Sequence, residues 1–66
     1  MNPMQNLTTR QSKKIFRTVQ ESHHSSMIND KRRLFAYIRD EHFEGDIPEE
    51  LKNAYLFAIT KTLRKR

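Results

Sequence analysis

Arg10, Lys13, Lys14 and Arg17 recur at i, i+3, i+4 and i+7, the spacing that places four cations on one face of a helix. Cations in that arrangement neutralise phosphates and release condensed counterions, so the chemistry they suggest is nucleic-acid binding. Two further clusters repeat the signal, Lys31/Arg32/Arg33 and Lys61/Arg64/Lys65/Arg66. Beside the last of these, Asn53, Phe57, Lys61 and Arg64 share a helix face turned away from the main apolar stripe. An amide, an aromatic ring and two bases on one exposed face can stack on and hydrogen-bond to a nucleic acid. The competing reading is that the bases are simply solvated and Phe57 covers the flank of a wide core.

Catalytic constellations are weaker. His23 and His24 are adjacent, so on a helix they point about 100° apart and cannot act as an i, i+4 ligand pair. His42 has Glu41 and Glu44 nearby but no second convergent ligand. Ser25 and Ser26 follow His24, yet nucleophilic catalysis needs a buried third group and a shaped pocket, for which so small a core has no room. The single glycine rules out a Gly-rich phosphate loop, and the absence of cysteine rules out a thiolate metal site. The expectation is a non-enzymatic protein with no catalytic residues, metal or cofactor.

The acids are as unevenly distributed as the bases. Six of the eight Asp and Glu lie between Asp40 and Glu50, a window holding no Lys or Arg. The whole chain carries +5, and without that window it carries 13 − 2 = +11. Separation on this scale implies a basic working surface and an acidic end.

Sixty-six residues make one domain with a small core, and no disulfide can supplement it. The lack of cysteine fits a reducing compartment. Apolar runs are too short for a transmembrane helix, and the first ten residues lack the apolar segment of a signal peptide. A cytoplasmic or nucleoplasmic location is therefore expected. The basic face of helix one would suit anionic headgroups, but its apolar face is narrow and without Trp, so a membrane is not expected as a partner.

The elements that must position these charges are helices, because Gly and Pro are few and periodic apolar stripes recur. Residues 1–6 read as a flexible N-terminal tail and 7–66 as one helical domain. Thr8 and Gln11 match a capping box for a helix near 9–22, with Leu7 as a hydrophobic staple and Ile15, Phe16 and Val19 as its stripe. The segment Ser22–Ser26 reads as the connection, with Ser25 or Ser26 capping a helix near 27–42. Its stripe is Met27, Ile28, Leu34, Phe35 and Ile38, with Lys31 and His42 at its ends. Gly45 is the stop, Asp46 the next cap and Pro48 a first-turn residue of a helix near 47–63. That helix turns Leu51, Ala54, Tyr55, Ala58, Ile59 and Leu63 to the core. The implied fold is all-α, a small antiparallel three-helix bundle, with a helical hairpin that dimerises as the alternative.

The functional expectation is a small basic helical module that binds DNA or RNA through Arg10, Lys13, Lys14, Arg17, Lys31, Arg32, Arg33, Lys61, Arg64, Lys65 and Arg66. It would be an accessory or regulator of a larger DNA or RNA machine. A helix-turn-helix mode built on helices two and three is disfavoured, because the recognition helix would open with Glu49 and Glu50 facing phosphates. The alternative is a protein-binding regulator or inhibitor acting through helix three, with Asn53, Leu56 and Phe57 as its interface, no nucleic-acid contact and a possible homodimeric state.

Overall fold

The computed structural model describes residues 7–64. Thr8 opens the first helix as a capping box: Gln11 N–H donates to Thr8 Oγ1 at 3.1 Å, and Thr8 N–H donates to Gln11 Oε1 at 3.0 Å. Leu7, just before the cap, packs against the core. Helix α1 then runs Thr9–Ser26, four residues beyond the expected end. Nothing in the Ser22–Ser26 segment stops it, since it holds neither Gly nor Pro, and Ser22 is small enough to be buried against the neighbouring helices. The helix ends instead at Met27, which adopts the left-handed conformation with φ 61°.

Helix α2, Lys31–Phe43, begins four residues later than expected. Its cap is Asp30, whose Oδ1 accepts from Arg33 N–H at 3.0 Å. Ser26 serves the turn, its Oγ accepting from Ile28 N–H at 3.2 Å, and neither Ser25 nor Ser26 caps α2. Met27 and Ile28 therefore leave the helical stripe, and Lys31 and His42 are exposed. At its far end α2 stops at Glu44 (φ 53°) and Gly45 (φ 86°), with Gly45 N–H donating to the Arg39 carbonyl at 3.0 Å. Two consecutive left-handed residues make the glycine obligatory in practice, as the sequence implies. Helix α3 runs Glu49–Arg64. Its first backbone bonds go to Pro48, whose carbonyl accepts from Leu51 and Lys52 N–H at 3.0 Å. Asp46 makes no side-chain capping bond and donates only its own N–H, to Phe43. The cap expected at Asp46 is thus displaced to Pro48.

These caps make a paired prediction. Asp30→Ala should lower stability by about 1 kcal/mol, because it frees a backbone N–H in the first turn of α2. Asp46→Ala should change it by under ~0.5 kcal/mol. Urea denaturation of the two variants separates them; equal midpoints would contradict the cap assignment.

The core is built from one stripe of each helix. Ile15 and Val19 come from α1, Leu34 and Ile38 from α2, and Ala54, Tyr55, Ala58 and Ile59 from α3. Every helix touches both others. Phe43, at the end of α2, meets Tyr55 in the first half of α3 edge-on, ring centroids 5.5 Å apart. Phe16 meets Phe57 at 6.5 Å, and Gln20 further along α1 lies beside Lys61 and Thr62 further along α3. The order is therefore up–down–up, with sequence neighbours antiparallel. The radius of gyration, 10.9 Å, is close to the ~11 Å expected of a single domain this long. The molecule measures 29 × 29 × 19 Å, as broad as it is long, so an extended hairpin is not the architecture. No strand occurs among the described residues, and none of their helices is long and apolar enough to cross a membrane.

Candidate nucleic-acid interface

Helix α1 turns Ile15, Val19 and Ser22 to the core, so the opposite face is fixed toward solvent. That face carries Arg10, Lys13, Lys14 and Arg17, all exposed, and they line one shallow open trough with Thr9, Thr18 and Glu21. His24, fourteen residues beyond Arg10, falls on the same face and is also exposed. Glu21 interrupts the row. Its Oε2 lies 3.4 Å from Arg17 Nε, but the two side chains are 80% and 70% exposed, so the pair is worth only a few tenths of a kcal/mol. The other ion pair among the described residues, Arg39 with Asp40 at 3.3 Å, joins sequence neighbours. Among those residues, no acid from another helix pairs with the α1 bases.

The second and third clusters occupy helix ends. Lys31, Arg32 and Arg33 form the first turn of α2, and Lys61 and Arg64 lie in the last turn of α3; all five are exposed. The up–down–up order puts those two ends at the same end of the bundle, together with the C-terminal end of α1. Lys65 and Arg66, like the tail at 1–6, fall outside the described residues. The α2 cluster sits at the positive end of its own helix dipole, where the Asp30 cap is the one carboxylate and the first turn itself holds none.

At the opposite end, Asp40, Glu41, Glu44, Asp46, Glu49 and Glu50 surround the α2–α3 turn, all of them exposed. The first half of α1 packs there too: Lys14 shares a hollow with His42, Phe43, Leu51 and Tyr55. The α1 basic face thus starts beside the acidic end and runs away from it. Within that hollow, burial pushes the Tyr55 hydroxyl pKa up, opposed by a hydrogen bond with the Thr18 side chain, so the phenol stays neutral under ordinary conditions.

Of the two readings of Phe57, the one in which it covers the flank of the core matches the structure, and the exposed-face reading does not. Phe57 is half-buried and packed against the core, its ring edge-on to Phe16 and its outer face covered by Lys61, whose Nζ is 5.4 Å from the ring centroid. The physical reason is the reach of α1. Phe16 projects from the flank of that helix into the space an isolated α3 wheel leaves open. Asn53 remains exposed and Leu56 is half-buried, so the three do not form an open aromatic patch. Phe57→Ser is accordingly expected to cost on the order of 2 kcal/mol, through lost burial and the lost ring pair. A melting temperature unchanged from wild type would restore Phe57 to the surface.

Among the described residues no three His, Asp or Glu side chains converge as metal ligands would. Thr62 Oγ1 is a buried polar atom without a partner, in the narrow groove between α1 and α3 lined by Phe16, Gln20 and Lys61. No protein-family model matches the chain, and comparison with curated proteins and with solved structures returns no match.

Proposed function

We propose that this chain is a small basic module, without catalytic chemistry of its own, that binds nucleic acid along the outer face of α1. Lys31–Arg33, Lys61 and Arg64 supply a second set of contacts at the far end of the bundle. The observation that carries the reading is the α1 face. Its four bases are exposed, directed away from the core, and held in a row by a helix whose other side is anchored. From Arg10 to Arg17 the row spans about 10 Å of helix axis. Long side chains at its two ends therefore reach phosphates on both sides of a duplex groove, which is ~6–12 Å wide. Binding of this kind is electrostatic and largely indifferent to sequence, which suits an accessory of a larger DNA or RNA machine working in the cytoplasm or nucleoplasm.

The second reading is a protein-binding regulator acting through Asn53, Leu56 and Phe57 of α3; partial burial of the Phe57 ring makes it a weaker anchor than a fully exposed aromatic would be. Gel filtration with light scattering, run with and without a short duplex, distinguishes the two. A monomer that co-elutes with the duplex is the expected result. A dimer that ignores the duplex would contradict it.

A further inference from the structure

Among the described residues, Met27 is the large apolar side chain that the fold leaves outside, 76% exposed. Its backbone is in the left-handed region, φ 61° and ψ 18°, where glycine is favoured and side chains are strained. The turn around it is tied down residue by residue. Met27 N–H donates to the His23 carbonyl at 2.9 Å, and Ile28 N–H to Ser26 Oγ at 3.2 Å. Asn29 Oδ1 and His23 Nε2 are 2.8 Å apart, and Asp30 caps α2. Met27 is therefore presented on a hydrogen-bonded turn. Stability supplies no reason for methionine here: glycine would remove the strain, and a polar residue would remove the exposed apolar surface.

Position supplies a reason. Met27 follows the C-terminal end of α1, about 15 Å beyond Arg17 along the axis, and Lys31, Arg32 and Arg33 begin four residues later. It is an apolar point bracketed by two basic sets. We propose that Met27 is a wedge that enters between stacked base pairs when those bases engage a duplex, unstacking one step and kinking the helix. Methionine is among the apolar side chains that proteins insert from the minor-groove side between base steps, unstacking and kinking the duplex. A lipid surface is a poorer match. Even a whole acyl chain gives only marginal membrane binding, so one methionine tip adds little there, whereas one base step needs only one wedge.

The inference rests on the nucleic-acid reading, and the test separates their failures. Wild-type protein, Met27→Gly, Met27→Gln and Met27→Leu are titrated into a short duplex carrying 2-aminopurine at a TA step, with end-to-end energy transfer reporting the bend. Wild type and Met27→Leu should raise the aminopurine fluorescence and shorten the end-to-end distance. Met27→Gly and Met27→Gln should do neither and should bind about tenfold more weakly, at an unchanged salt slope. Met27→Gly should melt at the same temperature as wild type or higher. If wild type binds without unstacking, the wedge is overturned and the nucleic-acid reading stands. If wild type does not bind at low salt, both fall. If Met27→Gly and Met27→Gln keep full duplex affinity but lose binding to anionic phosphatidylserine vesicles, the side chain serves a membrane and the wedge is overturned.

Discussion

Replacing Arg10, Lys13, Lys14 and Arg17 together by Gln is expected to weaken duplex binding by roughly three to four orders of magnitude at 0.1 M salt. Each neutralised phosphate contributes about 0.9 log units per decade of salt below 1 M, and four contacts are removed. The fold should survive. All four side chains are exposed, Gln is as good a helix former as Lys or Arg, and among the described residues the one ion pair lost is the exposed Arg17–Glu21 pair. Fluorescence anisotropy with circular dichroism on the same samples checks both halves. A loss below tenfold from a folded variant would transfer the binding surface to Lys31–Arg33, Lys61 and Arg64.

Leu34→Ala is expected to leave the chain largely unfolded at 25 °C. Leu34 is fully buried where all three helices meet, and removing such a side chain costs about 3–5 kcal/mol, part of it for the cavity left behind. A single core this small supplies only about 3–5 kcal/mol in total. Far-UV circular dichroism should lose most of its helical signal, and what remains should melt without a cooperative transition. A Leu34→Ala variant with native helicity and an unshifted midpoint would mean that some other core holds the fold.

Features set by local spacing are legible in the sequence itself. The Thr8–Gln11 capping box, the Gly45 stop and the α1 basic face each depend on residues within one or two turns, so composition and period suffice. The α1–α2 boundary is not legible in that way. Ser and His are weak helix formers and read as a loop, but the packing that buries Ser22 carries α1 onward, and a methionine takes the left-handed position that local rules assign to Gly or Asn. A signal for the true start of α2 is nonetheless present in Asp30, a strong cap residue three positions before Arg33. Phe57 illustrates a different limit. A helical wheel places it on the flank of α3, but whether that flank is covered depends on where Phe16 of α1 arrives, which is a matter of tertiary packing. The same applies to the acidic end: its acids cluster in sequence, while the presence of the Lys14 end of α1 beside them follows only from the up–down–up order.

The central claim, that the basic faces engage phosphates, is tested most directly by the salt dependence of duplex affinity. If some four to six phosphates are engaged, log affinity should fall against log salt with a slope of roughly −4 to −5, and the α1 Gln variant should show a slope shallower by about three to four. A folded wild-type protein that fails to bind duplex or single-stranded nucleic acid at low salt, or binds it with a flat salt dependence, would contradict the account.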